Sequence, residues 1–370
     1  MTLALRFAVV SDLHIGLPHT LQDHPTRFHL VEVSIPAFEQ VLEQLSEMDL
    51  DFLLLPGDLT QHGEPENHEW LSQRLAELPF PVYAIPGNHD VPVPVADGTS
   101  IGWKDFPSYY RHCGYGLEQT LYYSASPAPG LRLIALNSNQ FDAEGKQIGC
   151  LDEQQLDWLA DVLSQCRDEL VLVMVHHNVL EHFPHQARHP IGRRYMLQNA
   201  PTLLEMLRAA KVQLVFTGHL HVQDVAHQDG IFDITTGSLV SYPHPYRVVD
   251  LHQDAGEIDL SIASPRVKST ANWPDLQRFS QEWMGDRSLP FMTYMLTQPP
   301  LNLDPKAAAA AAPMLRYFWS TIANGDPEFE YPDLPEALRH HFEGYSHRHS
   351  QEIKLGLGDN QLDLTLPHPS

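Results

Sequence analysis

The residues able to do chemistry in this chain fall at one recurring place, directly after its short apolar runs. Leu5 to Val10 is followed by Asp12 and His14, Phe52 to Leu55 by Gly57-Asp58, and Pro81 to Ile85 by Gly87-Asn88-His89-Asp90. Glu169 to Val175 runs into His176-His177-Asn178, and Val212 to Phe216 into Gly218-His219-Leu220-His221. Apolar runs of that length suit buried strands, and open α/β sheets gather functional groups at the carboxyl ends of their strands. Amphipathic stretches between them predict helices over Val31–Met48, Asn67–Leu78, Glu153–Gln165 and Ala200–Ala210. Further strands are expected at Thr120–Ser124, Leu131–Asn137, Val222–His227, Ile231–Thr235, Tyr246–Leu251 and Glu257–Ile262. Strand–helix alternation that ends in hairpins predicts an α/β protein with mixed sheets covered by helices.

Each polar group has a plain reading when taken alone. An Asp after a strand is often a helix cap, and Gly-Asn-His-Asp can be a polar turn. The functional reading is weak for most groups alone and gains its specificity from the set. Asp12 and His14 lie two apart, so in extended chain both point the same way and can converge on one cation. Gly57 permits a tight turn, and Asp58 can bridge two cations. Asn88 offers a neutral oxygen, His89 a titratable ring, and Asp90 a carboxylate able to orient His89. His176 leaves its strand directly and is preferred to His177 as a ligand. His219 and His221 project to one side, with Leu220 pointing away. The coincidence of five such groups in one order carries the argument.

That ordered set resembles the calcineurin-like metallophosphoesterase superfamily. Gly-Asn-His-Asp and the His176-His177 pair are most similar to class III cyclic nucleotide phosphodiesterases and related glycerophosphodiesterases. The resemblance covers residues 5 to about 262. It implies a four-layer α/β/β/α sandwich holding two metal ions. Asp12, His14 and His221 would hold the first ion and Asn88, His176 and His219 the second, with Asp58 bridging. It further implies that His89 acts on the phosphoryl group or leaving alkoxide beside Asn88, and that a metal-bridging hydroxide attacks. The expected activity is hydrolysis of small phosphodiesters, cyclic nucleotides or glycerophosphodiesters. The alternatives are a phosphomonoesterase or a pyrophosphate hydrolase of a nucleotide or lipid precursor. A non-catalytic scaffold of this fold is least favoured, because such scaffolds tend to lose these histidines. Cyclic nucleotide enzymes often carry Pro-Pro after the second histidine; here Asn178-Val179 follow, which bears on substrate. Mixed Asp, Asn and His ligands suit iron, manganese or zinc better than calcium.

Charge narrows the substrate. Lys and Arg total 23 against 47 Asp and Glu, a formal net charge of −24, and no long basic cluster offsets it. Such a chain repels polyanions, so long nucleic acid is not expected as a partner. No run is long enough for a membrane span, and the apolar start is too short for a signal peptide, which sets the expectation of a cytoplasmic location. Cys113, Cys150 and Cys166 show no ligand spacing. His62, His68 and His182 are expected at the surface. Arg193-Arg194 and the Tyr242–His244 loop are lesser candidates for substrate contact.

Past Ser264 the pattern changes, dividing a catalytic domain (1–264) from a helical C-terminal extension (265–370). Strand signals stop, and four helical stretches are expected near Leu276–Met284, Pro290–Leu296, Pro305–Ala323 and Leu334–His349. Isolated short helices are marginal in water, so Trp273, Trp283, Phe291 and Phe318 need a surface to cover. That surface is either the catalytic domain, with the extension as a lid, or a second copy in a homodimer.

Overall fold

The computed structural model describes residues 3–25, 27–117, 119–189, 191–254, 256–349 and 356–367. β1 (Leu3–Val9) leads to α1 (Ser34–Ser46), β2 (Phe52–Leu55), α2 (Pro65–Ala76), β3 (Val82–Ala84) and the short α3 (Phe106–Tyr109). Next come β4 (Tyr123–Ala128), β5 (Leu131–Ala135), the small hairpin β6 (Asn139–Phe141) and β7 (Gln147–Gly149), and α4 (Glu153–Gln165). β8 (Leu170–Met174), α5 (Ala200–Ala209), β9 (Leu214–Thr217), β10 (Asp224–Gln228), β11 (Ile231–Thr235), β12 (Arg247–Asp254) and β13 (Glu257–Ala263) follow. The extension comprises α6 (Leu276–Thr297), α7 (Pro305–Ala311), α8 (Phe318–Ala323), α9 (Glu336–Glu343) and a last strand, β14 (Gln361–Pro367).

The strands form two six-stranded mixed sheets, ordered β14-β13-β12-β1-β2-β3 and β10-β11-β9-β8-β5-β4. Alternation along β8 shows how they stack. Leu170, Leu172 and Met174 join the core shared with the first sheet, while Val171 and Val173 pack with Leu159 of α4 and Leu203 of α5. Side chains one residue apart on a strand face opposite ways, so β8 is apolar on both faces. Phe7 of β1 stacks on Phe52 at 4.7 Å between ring centres and meets Phe216 of β9 edge-on at 5.6 Å. Those rings join the two sheets, each contributing roughly 1.5–3 kcal/mol by burial. α1 supplies Phe38, Val41 and Leu45 to the same core. The layers are thus helix, sheet, sheet, helix, as expected.

Two expectations about the tail need correction. Strands do not stop at 264: β14 pairs antiparallel with β13 along its whole length, from Glu257 opposite Pro367 to Ala263 opposite Gln361. Leu362 and Leu366 are buried, so this strand completes the first sheet's edge. The stretches on either side of Pro290 are also one helix, α6. Proline removes one backbone hydrogen bond from a helix interior, and packing of Met284, Met292 and Leu296 holds the helix together across it. Many of the extension's apolar side chains find partners within the chain, while Phe279, Tyr294, Met314 and Tyr317 stay exposed. Met292, Leu296, Leu315, Phe318, Phe329 and Phe342 make a separate small core, and Met284 and Trp319 pack with Leu220, Val222 and Tyr242. Among the described residues, no helix is long and apolar enough to cross a membrane.

Candidate metal centre

The five polar groups converge where the strand ends of both sheets meet. Asp12, His14, Asp58 and His221 bring one ligand atom each within 4.8 Å of one another, and so do Asp58, His176 and His219. Asp58 belongs to both groups, the place expected of a bridging carboxylate. Its Oδ2 lies 3.8 Å from His14 Nε2 and its Oδ1 3.4 Å from His176 Nε2. Asn88 Oδ1 is 3.1 Å from His176 Nε2, and His221 Nε2 is 3.1 Å from Asp12 Oδ1.

The way these side chains converge differs from the sequence argument. Asp12, His14, Asp58, His219 and His221 have φ of 52°, 43°, 50°, 67° and 59°. Two-residue spacing in extended chain is therefore not what aims them; left-handed turns at each ligand are. Asp, Asn and His enter that region more readily than other non-glycine residues, yet each entry still costs about 1–3 kcal/mol. Backbone hydrogen bonds hold the turns in place: Asp12 N–H to Gly57 O at 3.1 Å, His14 N–H to Asp58 O at 2.9 Å and Gly218 N–H to His176 O at 3.1 Å. Two glycines let backbone press against the carboxylates. A Cβ at Gly87 would lie 2.1 Å from Asp58 N, and one at Gly218 would lie 2.1 Å from Ser11 Oγ and 2.6 Å from Asp12 Oδ2.

These donors fit bound cations on their own chemistry. Asp12 and Asp58 are buried carboxylates, and Asp58 Oδ2 is buried without a hydrogen-bond partner, as are His14 Nδ1 and His219 Nδ1. Buried polar atoms are rarely left unpaired in native proteins. His14 Nε2 and His221 Nε2 face each other at 3.2 Å. Burial, reinforced by His89 and His29, holds His14 well below its ordinary pKa, and burial with His177 and His176 does the same for His219. Neutral imidazoles keep a lone pair for a metal. Burial works against Asp58's charge, but His176 and His89 outweigh it and draw the carboxyl well below its usual range. Against the same burial, Asp58 lifts His176 to about 9.

The surroundings correct several readings. Asp90 does not orient the His89 ring. Its carboxylate accepts from the backbone N–H groups of Leu59, Thr60 and Gly87 and from the Thr60 hydroxyl. His89 is oriented by the Gln61 carbonyl, which accepts from Nδ1 at 2.6 Å, and its backbone N–H donates to Asp58 Oδ1 at 2.8 Å. His68 is buried against Tyr110 and Asp90 O rather than exposed. His182 is buried too, with Nδ1 2.6 Å from Asp224 and Nε2 3.3 Å from Asp233. Asp233 also accepts from the N–H groups of Val179 and Leu180 and from Thr217 Oγ1, so this latch fixes the loop that begins with His176. His62 is exposed and stacks on His89 at 5.7 Å. His177 is buried, bonds Ser138 through Nδ1 at 2.8 Å and belongs to neither ligand group. His244 is buried with Nδ1 on Leu239 O, and Arg194 lies exposed over Tyr195.

One residue went unnoticed in the sequence. His29, in the β1–α1 connection, stacks on His14 at 4.7 Å and lies 5.1 Å from His221. No strand precedes it, so the rule that exposed the candidate ligands could not find it.

A mixed two-sheet sandwich with carboxylate–histidine clusters sharing one Asp is the architecture of a metallophosphoesterase. Residues 5–223 match the family model described as calcineurin-like phosphoesterase, and the chain belongs to that family of hydrolases. It is 27% identical over 222 residues to a 3′,5′-cyclic-nucleotide phosphodiesterase of Nostoc, covering 59% of this chain and 72% of the relative. It is 26% identical over 213 residues to a probable glycerophosphodiester phosphodiesterase of Arcobacter nitrofigilis, covering 55% and 67%. A dimetal phosphatase from Danio rerio shares the fold, with a TM-score of 0.51 at 16% identity over 69% of this chain and 95% of that one.

Proposed function

We propose that this chain hydrolyses small phosphodiesters at a centre of two transition-metal ions, iron, manganese or zinc. Asp12, His14 and His221 would hold one ion and Asn88, His176 and His219 the other, with Asp58 shared. The observation carrying this reading is the pair of buried donor groups joined through Asp58. Bound there, two such ions supply Lewis acidity and a nucleophile at neutral pH. The protein's own groups do the rest. His89 is fixed with Nδ1–H on the Gln61 carbonyl, so Nε2 is the nitrogen that holds or releases a proton at the leaving alkoxide. Asp58 steadies the His89 backbone, and Asn88 holds its Oδ1 3.1 Å from His176 Nε2.

The preference for small diesters is supported by the relatives' names, by the −24 charge and by the extension. α6 and α8 lean on Leu220, between the two ligand histidines, and Arg287 of α6 bonds Asp23 and His24 O in the β1–α1 connection. We read the extension as a roof over one side of the mouth. The test compares bis(p-nitrophenyl) phosphate with p-nitrophenyl phosphate, alongside cyclic nucleotides, glycerophosphodiesters and single-stranded DNA. Faster turnover of the small diesters supports the reading. Monoester preference would transfer the site to phosphomonoester hydrolysis.

A further inference from the structure

We propose that His29 is an additional ligand of the ion held by Asp12, His14 and His221, delivered by the β1–α1 connection. The inference rests on the two-ion reading and extends its ligand set. His14, His29 and His221 bring one nitrogen each within 4.8 Å of one another. Two nitrogens bound to one ion at about 2.0–2.1 Å each stand at most about 4.2 Å apart. His29 stands outside the group that Asp12, His14, Asp58 and His221 form within 4.8 Å of one another, so joining that ion takes a movement of its side chain toward Asp12 and Asp58. His29 Nδ1 is buried and has no hydrogen-bond partner among the described residues. An unsatisfied buried polar atom costs about 1–3 kcal/mol, which a metal bond would offset.

A purely supporting role fits less well. A residue that orients a ligand histidine does so by a hydrogen bond to its free nitrogen. His29 instead lies face to face with His14, the planes 15° apart, a contact that carries no such bond, and His14 Nδ1 stays unpartnered. The backbone around His29 is held on two sides. Leu30 N–H donates to Val240 O at 2.7 Å, and Phe28 packs on Phe291 of α6 with ring centres 5.8 Å apart. Arg27 is buried, bonded to Glu32 at 2.5 Å and placed over Trp283 of α6 at 5.8 Å. The helical extension thus sets the position of a metal ligand, and the first ion gains a third imidazole. Imidazole-rich sets favour zinc and iron over manganese, so the two ions would differ in preference.

The test uses the full-length chain stripped of metal and titrated with zinc. Loss of an outer-shell partner already costs about 10–100-fold in affinity, so His29→Ala should weaken one site by at least about tenfold and leave the other unchanged. Pulsed EPR on the manganese-loaded wild type counts bound nitrogens directly and does not depend on the variant folding. The count expected is five, from His14, His29, His221, His176 and His219, rather than four. Equal zinc affinities in wild type and variant would overturn the proposal. So would a weakened site in the variant together with a count of four nitrogens in the wild type, which would make His29 a support only. If the wild type itself bound fewer than two ions, the two-ion reading would fall instead.

Discussion

Replacing His182 with glutamine isolates the ion-pair latch behind the loop that carries His176. Both His182 and Asp233 are buried, and Asp224 is largely so. Burial disfavours the imidazolium, but Asp233 and Asp224 outweigh it and lift the pKa to about 10. An unfolded chain would show about 6.5. A folded pKa above the unfolded one gives stabilisation that is full below pH about 6.5 and fades as pH rises through about 10. Breaking a buried pair by removing one partner costs about 3–5 kcal/mol. Glutamine can still donate to one carboxylate, so about 3 kcal/mol is expected at neutral pH, a fall of roughly 4 °C in Tm for a chain of this length. Calorimetry of wild type and variant across that pH range should show the widest gap at the acid end, closing toward the alkaline end. A gap that stays constant with pH would refute the assignment of a charged His182, and a gap below about 0.5 kcal/mol would refute the latch.

Asp58→Asn should lower the occupancy of both ions by elemental analysis, and loss of only one would contradict the shared role. His89→Ala should cut turnover about 10²–10⁴-fold at unchanged metal content, the magnitude of lost acid–base catalysis; loss of metal would contradict that role. Trp283 lies under Arg287 at 3.7 Å and beside Arg27. Trp283→Ala should loosen the β1–α1 connection and raise KM for small diesters several-fold; an unchanged KM would argue against the roof.

Position along the chain was readable because it follows strand periodicity. Asp12, Asp58, Asn88, His176 and His219 each sit past a short apolar run, and the strands lie within a few residues of expectation. Conformation was not readable. The left-handed φ of five candidate ligand residues comes from hydrogen bonds between β1, β2 and β9 ends that are distant in sequence. The burial of His182 and His68 likewise depends on Asp233 and Tyr110, brought in from far along the chain. β14 did carry a signal, the alternating Leu362, Leu364 and Leu366, but it sits alone after a hundred residues of helical and proline-rich chain. His29 carried none, since Val240 and α6 place it.

One pair of metal ions, shared through Asp58, is proposed to perform the hydrolysis. The direct measurement is bis(p-nitrophenyl) phosphate turnover by metal-stripped protein as zinc or manganese is added back in measured equivalents. Activity should be negligible without metal and reach its plateau at two ions per chain. A plateau at one ion, or full turnover with none, would contradict the account.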